Sequence, residues 1–176
     1  GRLPYGDASF DLVCSLEVIE HVQDQFGYCR EILRILKPGG TAVISTPNVL
    51  NLNSRYRSLH SGFATLFNPL SLSSQDVVHT SGHIHPVTYY YLAYALLHAG
   101  AADVQVAYDR FKRSAVVLLA LFAPIVLVGN ALFRRRLQRK NPSVLGENRR
   151  FLREMQSWRM LTSRSILVVA RKAELG

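Results

Sequence analysis

Cysteine is scarce: the 176 residues hold only Cys14 and Cys29. Their spacing fits no disulfide framework, so a reduced, cytoplasmic setting is expected rather than a disulfide-stapled scaffold. No Gly-x-Gly-x-Gly loop occurs anywhere, so the chain has no glycine-rich phosphate cradle of its own. The chain opens on Gly-Arg-Leu-Pro, without a charged-then-apolar leader. No signal peptide is therefore expected, and residue 1 is expected to lie inside a longer protein. Acidic residues are nearly missing from one stretch: residues 110–164 hold 13 Lys/Arg against 2 Asp/Glu, and the rest of the chain 8 against 10. The basic character is thus local, which points to an anionic surface such as lipid or nucleic acid.

What is present is enough apolar material for a core. A hydrophobic content of 48% over this length predicts one domain and excludes a disordered chain. Residues 10–15 are short and mostly apolar, as expected of a strand covered on both faces. Residues 17–21, Glu-Val-Ile-Glu-His, read as the opening of a helix. Phe26, Cys29, Ile32, Leu33 and Leu36 then recur at helical spacing. Pro38, Gly39 and Gly40 stop that helix, and residues 41–48 form a second buried strand. Strand, helix, strand in about 35 residues is a parallel, right-handed crossover. Residues 48–82, polar and rich in Ser and Asn, predict a long loop with short helical pieces over a site. A helix over 88–99 buries Leu92, Leu96 and Leu97 and ends at Gly100, and strands follow over 103–108 and 165–171.

Residues 114–133 are 20 residues without a charge, preceded by Arg110, Lys112 and Arg113 and followed by Arg134, Arg135, Arg136, Arg139 and Lys140. By length alone this is a membrane-span candidate. The flanking strands must meet in one sheet, so both ends lie on one side of any bilayer. Pro124 near the middle offers a turn, and the basic flanks fit two cytoplasmic ends. A re-entrant hairpin or an in-plane helix is therefore expected, with a helix buried in a larger core or dimer interface as the other reading. Phe151, Leu152, Met155, Trp158 and Thr162 form a further apolar stripe among arginines, fitting either a second surface-lying helix or one packed on the domain. The arginines could also serve nucleic acid, but the aromatic interleaving of single-strand binders is missing, so nucleic acid is not the expected partner.

Leu3-Pro4-Tyr5, Phe10-Asp11, Glu20-His21 and Leu36-Lys37-Pro38-Gly39-Gly40, at this spacing, resemble the second half of a class I S-adenosylmethionine (SAM)-dependent methyltransferase. The resemblance covers about residues 1–108 and 165–172. It implies an α/β, Rossmann-like class I methyltransferase sheet: parallel strands plus an antiparallel edge hairpin, with the last strand inserted beside residues 42–45. Residues 1–108 and 165–176 would form the methyltransferase part, and 109–164 a hydrophobic and basic helical insert. SAM is the implied cofactor. Cys14, Ser15, Leu16 and Glu17 would line its methionine part, mainly through backbone groups, and Leu3, Pro4 and Tyr5 its adenine end. Thr46, Pro47 and Asn48 would face the substrate.

Methyl transfer needs alignment and, where the acceptor must lose a proton, a base. His21 suits that role because imidazole titrates near neutrality, and Glu20 could orient it; helix capping by the same pair is the plainer alternative. Glu17, Glu20 and His21 stand at i, i+3 and i+4, so they could share a helical face, with His83 or His85 approaching from the loop. Glu-x-x-Glu-His with a distant His resembles the metal site of small-RNA 3′-terminal 2′-O-methyltransferases, which would make Glu17, Glu20, His21 and His83 ligands of Mg²⁺ or Mn²⁺. Tyr89, Tyr90, Tyr91 and Tyr94 could line a substrate wall, though helical spacing fits core packing as well. The expectation is O-methylation of a lipophilic or lipid-linked small molecule or glycan by an enzyme peripheral or re-entrant at the cytoplasmic membrane face. The alternatives are an inactive remnant serving as a membrane-bound scaffold and an RNA methyltransferase using the basic insert.

Overall fold

The computed structural model describes residues 2–70 and 82–174. Its centre is a four-stranded sheet in the order β1-β2-β4-β3: β1 Phe10–Leu16, β2 Leu36–Pro47, β3 Ala101–Tyr108 and β4 Ser165–Lys172. β1 and β2 run parallel, while β4 is antiparallel to both β2 and β3. The carboxyl ends of β1, β2 and β3 therefore share one end of the sheet with the start of β4. The expected α/β architecture, with the last strand inserted beside β2, is what the chain forms.

α1 (Gln25–Ile35) makes the crossover and starts where the Asp24 carboxylate accepts the Gly27 amide, an N-cap. It turns Cys29, Ile32 and Leu33 onto the sheet, and α3 (Tyr89–His98) adds Tyr89, Leu92 and Leu96. Leu97, expected on the same face, is only half-buried.

Four expectations need correction. The Leu36-to-Gly40 run does not sit between helix and strand: β2 already begins at Leu36. Gly39 takes a left-handed φ of 72°, and the β1–β2 register shifts between Phe10↔Leu36 and Leu12↔Thr41. A Cβ on Gly40 would stand 2.9 Å from the Lys37 carbonyl, so the two glycines form a bulge inside the strand rather than a stop before it. Second, residues 17–21 do not open a helix. Glu17 itself has a left-handed φ of 53°, and only a single 3-10 turn, Ile19–His21, follows. Third, β1 is not covered on both faces. Leu12 and Leu16 are 56% and 60% exposed, and among the described residues no element packs on that side.

The fourth concerns the insert. There is no re-entrant hairpin: α4 (Arg113–Lys140) is one helix of 28 residues running through Pro124. It abuts α2 (Leu52–Ser61), where the Asn53 side chain donates to Ser114 Oγ at 2.7 Å. α5 (Pro142–Glu154) returns to the sheet, with Pro at the first helical position. There Arg150 donates to Asp103 and to the Val104 carbonyl, and Phe151 packs on Tyr89. The stripe around Phe151 is thus bound to the domain. α6 (Trp158–Thr162) leads into β4.

Candidate functional site

The sheet ends carry a small polar cluster built by three segments. The 3-10 turn after β1 supplies Glu20 and His21. The loop before α3 supplies His83, held in place by the amides of Ile84 and His85, both of which donate to the Glu20 carbonyl at 3.0 Å. β2 supplies Thr46, whose hydroxyl donates to Glu20 Oε2 at 3.1 Å. Gln25 at the start of α1 donates to the Ile19 and His85 carbonyls and ties the turn to the loop.

His21 Nδ1 lies 3.1 Å from the Gly82 carbonyl. A carbonyl only accepts, so Nδ1 carries a proton, and in the neutral ring the lone pair is on Nε2. The orienting group is therefore the Gly82 carbonyl, not Glu20 as the sequence suggested. His21 and His83 meet edge to face, ring centroids 4.8 Å apart, and Phe67 supports His83 from behind at 5.1 Å. Burial, and then the neighbouring His21, lower the His83 pKa from its ordinary value. Glu20 is completely buried, and burial raises its pKa above the usual carboxylate range. Glu20 Oε1 and His83 Nδ1 are buried without a hydrogen-bond partner among the described residues. One ligand-type atom each from Glu20, His21 and His83 lies within 4.8 Å of the others. Glu17 is not in this group. Its carboxylate accepts from Ser45 Oγ at 3.0 Å, and its left-handed backbone turns it off the face that helical spacing would have given it.

The raised pKa of Glu20 has a consequence for stability. A carboxyl whose folded pKa lies above its unfolded value contributes stability that is complete below the ordinary value of 4.5 and is lost as pH rises through the folded pKa. Glu20→Gln removes that loss. Urea midpoints measured from about pH 4.5 upward are expected to fall in the wild type relative to Glu20→Gln, with the gap widening as pH rises.

The other expected site residues lie nearby. Leu3, Pro4 and Tyr5 are moored by α1: Glu31 accepts the Leu3 amide at 2.9 Å, and Arg34 donates to the Leu3 and Tyr5 carbonyls. Arg34 holds the Glu31 carboxyl down to about 2, assisted by that amide. Ser15 is buried and its hydroxyl meets Tyr28 Oη at 2.9 Å, whereas Cys14 and Leu16 lie on the open face of β1. A cleft of about 980 Å³ runs beside the start of α1, lined by Arg2, His21, Tyr28, Glu31, Gly82 and Ile84. Asn48, expected to face substrate, instead turns inward to the joint between α6 and β4. Tyr89 is core, Tyr90 half-buried and Tyr91 and Tyr94 exposed, so they form no common wall. The recruitment of His83 had no local signal beyond its residue type, because it depends on pairing across more than sixty residues.

A sheet in which β1, β2 and β3 share one direction and β4 is inserted against it, with a polar cluster over the carboxyl ends of β1 and β2, is of the Rossmann-like α/β class in which ligands sit at that end. Comparison with known proteins narrows the class. Residues 1–44 match the family model described as a methyltransferase domain. A probable SAM-dependent methyltransferase of Mycolicibacterium smegmatis is 50% identical over 47 residues, 27% of this chain and 18% of that protein. Norajmaline N-methyltransferase of Rauvolfia serpentina is 46% identical over 58 residues, 33% of this chain and 20% of that protein. The fold matches a SAM-dependent methyltransferase from Archaeoglobus fulgidus with a TM-score of 0.51 at 14% identity, covering 96% of this chain and 62% of that one. A second, from Thermotoga maritima, gives 0.52 at 14% identity, covering 97% and 60%. By these comparisons residues 1–44 are similar to SAM-dependent methyltransferases, and the segment the chain shares with these curated relatives is about a fifth of their length.

Proposed function

We propose that this chain forms the acceptor side of a SAM-dependent methyltransferase that methylates an oxygen of a lipophilic or lipid-linked small molecule or glycan at the cytoplasmic face of a membrane. The observation that carries the O-methyl reading is the hydrogen bond of His21: its Nδ1–H is held by the Gly82 carbonyl, which leaves Nε2 of a residue lining the cleft to accept a proton.

The residues present fit one wall of a SAM site. The carboxyl end of β1 is open, the left-handed turn at Glu17 carries the chain away from it, and the outer edge of β1 has no strand beside it among the described residues. Cys14, Ser15, Leu16 and Glu17 would hold the methionine part, and the moored Leu3, Pro4 and Tyr5 the adenine end. A bound SAM supplies a methyl group on a sulfonium, which leaves as a neutral thioether. The chain's own task is to hold an acceptor hydroxyl in line and to take its proton onto His21 Nε2. His83 and Phe67 limit how the His21 ring can tilt. The lipophilic acceptor is supported by α4, whose root lies at the same end of the sheet as the cluster.

A second reading, a divalent cation such as Mn²⁺ or Mg²⁺, is supported by the unpartnered Glu20 Oε1 and His83 Nδ1 beside His21. Full activity after exhaustive chelation would overturn it.

Calorimetric titration of SAM in mild detergent tests the main reading. The chain as it stands is expected to bind weakly or not at all, since it has no glycine-rich loop. A version extended to include one should bind in the micromolar range and transfer a labelled methyl group to a hydroxyl. An extended protein that does not bind SAM would overturn the enzyme reading in favour of a membrane-bound scaffold.

A further inference from the structure

We propose that α4 lies in the plane of an anionic lipid bilayer, with its apolar face in the acyl region and its C-terminal cations on lipid phosphates. This rests on the membrane-face reading above and gives it a surface, an orientation and a lipid chemistry.

An 18-residue window of α4 reaches a mean hydropathy of 2.5, and none of it is buried. Val117, Leu121, Ile125, Val128 and Leu132 follow one another at steps of 4, 4, 3 and 4 and are all exposed, Leu121 at 68%. The opposite side, with Leu118, Phe122 and Val126, is half-buried. A helix this apolar normally sits inside a core or a membrane, and here the outward face meets neither.

Two tethers decide the orientation. At the N-terminal end Ala115 is buried, and the Lys112 amide donates to the Thr162 carbonyl. Beyond the C-terminal end, α5 is fixed on Asp103 and Val104 through Arg150. Ten residues separate Lys140 from Arg150, a reach of roughly 15 Å as helix. A perpendicular crossing would carry Lys140 about 30 Å to the far side, beyond that reach. The helix must therefore run along the surface of the domain, and along the surface of the bilayer.

The charge pattern selects the occupant. α4 contains no Asp or Glu, while Arg134, Arg135, Arg136, Arg139 and Lys140 crowd its last two turns. Leu132, Arg135, Arg136, Arg139 and Lys140 line one cleft of about 400 Å³, where a phosphate can meet guanidinium groups while an acyl chain follows the leucine. A second copy of this chain would bring the same cations together with no carboxylate in α4 to pair them. RNA would leave the apolar stripe in water. At the other end Trp158, 55% exposed, sits over Phe111 at 4.9 Å, an aromatic pair of the kind that favours the headgroup level. Phe111 also bridges to Ser163 at the sheet end that carries His21, so a seated α4 brings the site to the lipid surface.

Vesicle flotation of the full chain tests this without any catalytic readout. Vesicles of phosphatidylcholine alone and with added phosphatidylglycerol are compared, and binding to the anionic ones is expected to be on the order of 10- to 100-fold tighter at low salt. Leu121→Asp with Ile125→Asp is expected to abolish flotation on both. Replacing Arg135, Arg136, Arg139 and Lys140 by Gln should remove the anionic preference and leave the residual neutral binding. All six positions are exposed, and circular dichroism checks that each variant is folded. No flotation of the wild type, a concentration-dependent dimer that prevents it, or salt-sensitive RNA binding without lipid preference would each overturn the proposal. SAM binding by the extended protein is read separately: its failure with flotation intact sinks the enzyme reading alone, and SAM binding without flotation sinks the seating alone.

Discussion

Replacing His21 by alanine in the extended, SAM-binding protein is expected to lower methyl transfer by about 10²- to 10⁴-fold, with SAM affinity changed by no more than about twofold. The loss is that of a positioned base. The Gly82 carbonyl fixes which nitrogen holds the proton, and the ring's contact with His83 fixes where the other points. An acceptor hydroxyl attacking a sulfonium must shed its proton, and under this reading His21 takes it. Glu20 is fully buried, one of its oxygens bound by Thr46. His83 has its Nδ1 enclosed. Comparing this variant with His83→Phe separates the two readings of the cluster. Phenylalanine preserves the packing against Phe67 and His21, so under the base reading most of the rate survives. Under the cation reading a ligand is lost, and activity should fall as far as in His21→Ala. Equal losses in the two variants, accompanied by a chelator-sensitive rate, would transfer the central role from His21 to a metal.

The parts of this arrangement that were legible in the sequence are those written in local periodicity. The stripe Cys29, Ile32 and Leu33 on α1 and the Leu92 and Leu96 face of α3 each follow from burial on one side of an element, while the apolar run of β1 marked the strand but not its open face. The parts that were not legible depend on partners distant in sequence or on single backbone angles. Pro38, Gly39 and Gly40 contain the residues of a helix stop, and only the closeness of the Lys37 and Asp11 carbonyls to Gly40 shows that they form a bulge within β2. Glu17 looked helical from its spacing to Glu20 and His21, but its amide is taken by Ser45 on β2, and the bend this imposes removes it from the cluster. His83 was a candidate through residue type and the resemblance to a metal site, without any local pattern to place it; its position is set by amides donating to the Glu20 carbonyl. For α4, Pro124 suggested a turn because proline breaks isolated helices. The helix continues through it, with both ends fixed by neighbouring elements.

Asn48→Ala is expected to destabilise the domain by about 3–5 kcal/mol, the largest effect on stability anticipated for a single polar side chain here. The residue ends β2 almost without solvent exposure. Its side-chain amide donates to the Met160 carbonyl at 2.6 Å and to Ser163 Oγ at 2.8 Å, and its Oδ1 accepts the Leu50 amide at 3.0 Å. Its backbone amide donates to the Arg164 carbonyl, and its carbonyl accepts from the Asn51 side chain. Alanine leaves the Met160 carbonyl and the Ser163 hydroxyl buried and the half-buried Leu50 amide without this partner, and each buried unpaired group costs on the order of 1–3 kcal/mol. Asn48→Asp should cost more at neutral pH, because it sets a buried carboxylate against the Met160 and Ser163 carbonyl oxygens, and should recover as acid protonates it. The joint that Asn48 closes also roots the insert: Phe111 bridges to Ser163, and Lys112 donates to the Thr162 carbonyl just before α4 begins. Loss of this side chain should therefore appear first as faster amide exchange at Lys112, Ser163 and Arg164, before the urea midpoint is reached. If exchange there is unchanged while the midpoint falls, Asn48 supports the sheet but does not hold α4 to it.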